Sequence, residues 1–280
     1  MIHKVSITIF HDGNDLSWPD IEKFSQGWNE RHSSLLQNVM DINFTIALDK
    51  EQAEYTEFME WLSQFSMKEN IIYESNAFIL YEQEDYQRAD FIQLSGVRPP
   101  DGFLVNGGQA FGDGETCEVC GYTDPWPMVQ RERLIIDERR LDKEDKAIHF
   151  FNLDNGGLLI SKKAIDLLFT KYGKGLSLKT VVGLNGQDSE LYFQAGADRV
   201  ILSPDLEKTK LSGYICPKCG VVHGEFQSAL YFKKGDVGDL DVFSRHPNHC
   251  AMLFFRKGMV DLLEQHGIPG FSMDLPVYIS

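Results

Sequence analysis

Four of the five cysteines in the 280-residue chain form two near copies of one short motif, CEVCG at Cys117 to Gly121 and CPKCG at Cys216 to Gly220. Two thiols separated by two residues can reach one metal ion from a tight turn. A glycine directly after the second thiol permits the backbone conformation that such a turn needs, and backbone N–H groups then point back at sulfur. Four thiolates from two such knuckles make a closed tetrahedral zinc site with no open position. The spacing therefore predicts one structural Zn2+ held by Cys117, Cys120, Cys216 and Cys219, with no hydrolytic chemistry at the ion. Tying together segments this far apart costs about 4–5 kcal/mol in loop closure. That is well within the roughly 10–16 kcal/mol apparent binding of structural zinc in small fingers.

Other chemistries compete for the same residues. A redox dithiol of the thioredoxin kind needs its pair at a strand-to-helix junction, with the first sulfur at a helix N-terminus. YICPKCGVV instead lies between two short strand-like runs, and CEVCGYTDPWP leads into Pro125 and Pro127. Two separate zinc ions are a second alternative, with His223 of CGVVHG completing one of them, although a surface position for this histidine is the simpler reading. RHPNHC gathers His246, His249 and Cys250 and offers a second metal site or a Cys–His nucleophilic pair. It immediately precedes the apolar run AMLFF, so Cys250 is more simply a small buried residue opening a strand. Catalytic pairs also need an orienting group and an oxyanion site, and neither is identifiable. The carboxylates Asp236, Asp239 and Asp241 fall short of an EF-hand pattern and read as solvated turn residues. The glycine-rich loop from Gly107 to Gly114 has neither a Walker ending nor dinucleotide-fingerprint spacing, and reads as a flexible approach to the first knuckle. An enzyme of unknown class using that loop or the His/Cys cluster thus stands as the alternative to a non-catalytic protein, beside the redox dithiol.

The first 98 residues read as an α+β region. KVSITIF alternates Val5, Ile7 and Ile9 on one face, the period of a half-buried strand, and DINFTIAL reads as another strand. SWPDIEKFSQGWNE offers Ser17 as N-cap and Pro19 in the first helical turn. DKEQAEYTEFMEWLSQF places Phe58, Leu62 and Phe65 along one helical face, widened by Trp61, with Asp49 as a candidate cap. NIIY and AFILY, separated by ESN, predict a hairpin. Residues 99–280 read as a second, zinc-binding region. Its charged run RERLIIDERRLDKEDK predicts a solvated face or turn after a brief apolar core at Leu134 to Ile136.

An internal repeat sets the architecture of that second region. GLLISKKAIDLLFTKYGKGLSLKTVV from Gly157 lies over MLFFRKGMVDLLEQHGIPGFSMDLPV from Met252 with a constant offset of 95 residues. Lys162 matches Lys257, the DLL of Asp166 to Leu168 matches that of Asp261 to Leu263, and Gly175 and Ser177 match Gly270 and Ser272. Each copy, near 157–182 and 252–277, predicts a short strand, a helix, a glycine turn and another strand. The two knuckles are 99 residues apart, close to the same offset. The expected fold is α+β, with mixed or antiparallel sheets and short covering helices. Its C-terminal part is an internal duplication joined by a zinc-ribbon-like four-cysteine site, each helix covering a sheet.

With 42 acidic against 27 basic residues the chain carries a formal net charge of −15. Such a surface repels a polyanion, and no basic run with interleaved aromatics offsets it, so nucleic acid is excluded as a partner. A basic protein partner is compatible. No stretch approaches the length of a membrane span, and the N-terminus MIHKVSITIF lacks a signal pattern, so a soluble, cytoplasmic protein is expected. Nothing in the sequence specifies an oligomeric state.

Taken together, these features resemble the bacterial double-CXXCG motif proteins, a family related to immunity proteins of polymorphic toxin systems. The resemblance runs over residues 80 to 276. It is carried by YEQEDYQRADFIQLSG before the knuckles, by CEVCG and CPKCG themselves, and by GEFQSALYFKKGDVGDLDVF and MLFFRKGMVDLLEQHGIPGF after them. Val237 stands where that family has the tryptophan of its closing GDW segment, and the first 80 residues have no counterpart. The resemblance implies a non-catalytic, zinc-stabilised protein that binds and neutralises a cognate toxin.

Overall fold

A computed structural model describes residues 2–11, 39–40, 43–49, 71–105, 116–123, 133–153, 157–245 and 252–280, with positions 56, 57, 59, 60 and 63. The chain divides into residues 1–82 and 83–280. In the first unit the alternating segment at the N-terminus forms β1 (Ile2–His11). It pairs antiparallel with β3 (Asn43–Asp49) on one side and β4 (Ile71–Leu80) on the other, and β2 (Val39–Met40) adds to the far edge of β3. The hairpin expected across ESN is absent. Ile71–Leu80, which runs straight through ESN, is one continuous strand, each of whose ten residues has a partner in β1. ESN lacks the glycine that a tight hairpin turn favours, and a ten-residue partner rewards extending straight through it. Positions 56, 57, 59, 60 and 63 are helical. The helix expected from Ser17, and the stripe of Phe58, Trp61, Leu62 and Phe65, lie outside the described residues.

The second unit begins with α1 (Gln83–Arg88) and β5 (Phe91–Gly96). There follow β6 (Ile135–Ile136), β7 (Phe150–Asn152), β8 (Leu158–Ser161), α2 (Lys162–Leu168), β9 (Leu176–Gly183) and β10 (Asp188–Ala197). The charged run after β6 forms two 3-10 turns, Glu138–Arg140 and Asp145–Ala147. A two-stranded ribbon comes next, β11 (Leu211–Ile215) with β12 (Val222–Phe226). The chain closes with β13 (Leu230–Phe232), the short α3 (Lys234–Val237), β14 (Val242–Ser244), β15 (Leu253–Arg256), α4 (Lys257–Gln265) and β16 (Phe271–Ile279). The fold is thus α+β, with mixed sheets dominated by antiparallel pairs and short helices.

The two five-stranded sheets share one plan. The first has the order β6-β9-β10-β8-β7 and the second β13-β16-β5-β15-β14. In each, the first pair is parallel and every other pair antiparallel. β5 is the middle strand of the second sheet, although every other strand of that sheet comes from beyond residue 229. For that reason the two units divide at 82/83 rather than near residue 98: residues 83–98 cannot leave without opening this sheet.

The sequence match at an offset of 95 has a direct physical counterpart. α2 buries Ala164, Ile165 and Leu168, and α4 buries Met259, Val260 and Leu263. Lys162 pairs with Asp166 one turn on, and Lys257 with Asp261. Both helices pack into one core cluster that also takes Ile92 and Leu94 from β5, Ala195 and Ala197 from β10, and Ile160 and Phe255. A second cluster around Phe103, Phe151, Leu159 and Tyr192 includes the opposite-facing residues of the first sheet. A third, with Phe91, Phe232, Phe243 and Phe254, does the same for the second. Period-2 alternation therefore appears on both sheets as two buried faces, one shared and one private.

Gly175 and Gly270, matched in sequence, have φ of 86° and 97°. Each follows its helix and turns the chain against the other half of the unit. A Cβ at Gly175 would lie 2.4 Å from the Val242 carbonyl oxygen, and one at Gly270 would lie 2.7 Å from Ile148 and 3.2 Å from the His149 nitrogen. Both conformation and space exclude a side chain. Gly175→Ala should lower the unfolding free energy by on the order of 2–3 kcal/mol, with Gly270→Ala close behind. Denaturant titration of the two variants checks this, and an unshifted midpoint for Gly175→Ala would contradict the close approach.

Candidate metal centre

Each CxxCG segment folds into the same turn. Cys117 N–H donates to Tyr122 O and Gly121 N–H to Cys117 O; Cys216 N–H donates to Val221 O and Gly220 N–H to Cys216 O. The glycines have φ of 72° and 70°, a left-handed conformation in which a side chain is disfavoured. The flanking strands are unequal. Among the described residues the first turn is flanked by a bridge between Thr116 and Thr123, and the second by the full β11–β12 ladder.

These turns bring all four sulfurs within 4.8 Å of one another. Cys117 Sγ is 3.7 Å from Cys216 Sγ, and Cys120 Sγ is 3.6 Å from Cys219 Sγ. No pair is disulfide-bonded. Four sulfurs about 2.3 Å from a tetrahedral ion would stand about 3.8 Å apart. The group is accordingly compatible with a single four-coordinate metal ion, and the structure brings Cys117, Cys120, Cys216 and Cys219 together. Neither pair stands at the start of a helix, the placement a thioredoxin-like dithiol requires.

The electrostatics of the two turns also match. Backbone N–H groups of Cys120 and Val119 point at Cys117 and hold its thiol below the usual range. Those of Cys219 and Lys218 do the same for Cys216, bringing it to about 6. The second thiol of each turn accepts one such bond, from Tyr122 or Val221. For Cys219 burial outweighs that bond and pushes the thiol up to about 12. Cys120 is also raised: its Tyr122 bond lowers it, but burial and the neighbouring Cys216 and Cys117 prevail. Each turn thus presents one thiol held below the usual range beside one raised above it. A cation at the centre would favour the ionised form of all four, since bound thiolates must be deprotonated.

Sequence reasoning missed a second link between the turns. Lys218 pairs with Glu118 at 2.5 Å, which lowers the Glu118 carboxyl and raises the Lys218 amine. Opposite charges within CEVCG and CPKCG were visible, but nothing in the spacing aligned them.

The other candidates separate cleanly. His223 is outside the sulfur group; it is half-buried on β12, its ring stacked on Tyr214 at 4.7 Å between centroids. Asp241, expected to be solvated, is buried instead and accepts from the Gly173 and Lys174 N–H groups while pairing with Arg256. Asp239 pairs with Lys174 on the surface, and Asp236 lies in the first turn of α3. His246, His249, Cys250 and the Gly107 to Gly114 loop lie outside the described residues. No family model matches the chain, and no curated protein does either.

The two turns differ in support. A Cβ at Gly220 would meet Leu202 at 2.7 Å, whereas one at Gly121 would meet nothing within 4 Å among the described residues. Either alanine carries a left-handed strain of about 1–2 kcal/mol, and Gly220→Ala adds a clash against the body of the unit. Gly220→Ala should therefore destabilise the protein more than Gly121→Ala in thermal unfolding; equal losses would refute this asymmetry.

Proposed function

We propose that the chain is a non-catalytic cytoplasmic binding protein, an immunity protein that neutralises a cognate bacterial toxin by covering it, with its second unit a duplicated module braced by one Zn2+. The single observation that carries the reading is the convergence of four thiols, from turns 99 residues apart, at spacings a tetrahedral zinc ion would demand. Cys117, Cys120, Cys216 and Cys219 would hold the ion, whose chemistry is mechanical: it fastens one half of the unit to the other. The common plan of the two sheets and their matched helices support the duplication. Toxin capture is supported by the order of the CxxCG turns and the closing segments, which resembles the double-CXXCG proteins, and by an acidic surface suited to a basic partner. Absence of a membrane-crossing helix among the described residues agrees with a cytoplasmic site of action.

Metal analysis of the reduced protein should give about one zinc per chain, and replacing either cysteine pair by serine should remove all of it. Two zinc ions, or none, would overturn the shared site. The partner is tested with the product of the neighbouring gene: co-purification and protection of cells expressing it are expected. If that product neither binds nor is neutralised, the immunity reading fails even though the zinc brace stands.

A further inference from the structure

The middle strand of each five-stranded sheet is supplied by the other half of the second unit. Residues 83–184 provide β6, β9, β8 and β7 to the first sheet, yet their first strand, β5, lies in the second. Residues 185–280 provide β13, β16, β15 and β14 to the second sheet, yet their first strand, β10, lies in the first. We propose that the two halves are interlocked copies of one module, each completed by the other's first strand, and that they recognise one another as binding partners without a covalent link. This rests on the duplication in the functional reading, though not on the zinc.

Register carries the argument. In the first sheet Tyr192, Phe193 and Gln194 oppose Ser161, Ile160 and Leu159; in the second Phe91, Ile92 and Gln93 oppose Arg256, Phe255 and Phe254. On the other flank Ala197, Gly196 and Ala195 oppose Leu176, Ser177 and Leu178, while Gly96, Ser95 and Leu94 oppose Phe271, Ser272 and Met273. The exchanged strands correspond at one constant shift and their partners at another, on both flanks. A shared topology reached independently would have no reason to keep these registers.

The chain leaves each exchange in the same way. After β5 it returns to its own half, Val97 bridging Phe151 of β7; after β10, Val200 bridges Ser244 of β14. Between the halves, His149 N–H donates to Pro269 O, and Asp241 N–H donates to Lys174 O at the matched place. An isolated half would hold a sheet split at its centre, with strands β8 and β9, or β15 and β16, left with open edges. Such edges pair with whatever strand is available. The matching strand of the other half, carrying Ile92 and Leu94 or Phe193 and Ala195 into the shared core, is the partner that fits by register and by side chain. The covalent link between the halves is a tight turn closed by Gly183 N–H to Gln187 O, with Leu184 exposed.

The test uses the full chain with a protease site inserted between Asn185 and Gly186, cut after folding. Cleavage is done in the wild type with a metal chelator and in a Cys117→Ser/Cys120→Ser variant, so that no metal centre ties the fragments. The two fragments should elute together at the size of the uncut protein. They should separate only in denaturant and recombine when it is diluted out, and a tenfold rise in concentration should raise the unfolding midpoint of the cut protein but not of the uncut one. Fragments that separate in native buffer once metal or cysteines are gone would overturn the interlock while leaving the zinc reading intact. If the serine variant does not fold, the chelated wild type alone decides. Fragments that stay together there establish the interlock whatever the zinc content proves to be.

Discussion

A β-strand in the middle of a sheet must satisfy two ladders and bury both faces, and in the second unit that position is given to β5. Its residues bond to β15 and β16, strands encoded at the far end of the chain. Phe91 is buried on one face, among the phenylalanines of the second sheet's private cluster. Ile92 and Leu94 are buried on the other, against the two helices. Remove that strand and both the sheet and the shared core open. This pairing is also the longest-range in the unit, so the second sheet cannot close until the whole chain is available.

The cysteine group depends on the same arrangement. Two turns so far apart in sequence meet only because the halves are already laid against one another by exchanged strands and a common core. A metal ion at the cysteine group would then be a fastening applied to a structure with its own reasons to hold. The second turn is seated, with Cys216 fully buried and Gly220 against Leu202; among the described residues the first meets it through the sulfur group and through Glu118, paired with Lys218. An ion bound there would favour one geometry of the surface around it.

The local chemistry was legible. CxxCG specified the turns, their glycine conformations and the residue types at the site, because those features depend on neighbours within five residues. Amphipathic spacing marked both DLL helices and their buried faces, and alternation marked β1 and β3. Where inference failed, competition with distant chain was responsible. ESN resembled a turn until a ten-residue partner strand made extension the better choice. Asp241 looked like one more solvated carboxylate, but the backbone N–H groups of Gly173 and Lys174, far away in sequence, make it a buried anchor.

By itself, then, the sequence determined the two knuckles, the repeated strand-helix-strand units and the glycines that separate them, since each is set by short-range sterics and hydrogen bonding. The short turn around Asn185-Gly186 leads YFQAGA back along β9, but tertiary structure alone decided where β5, the first strand of the other half, would lie. FIQLSG carries no mark that sends it to the opposite sheet. Strand pairing is fixed by which edge offers matching register and a face to bury, and those edges exist only once both halves have folded together.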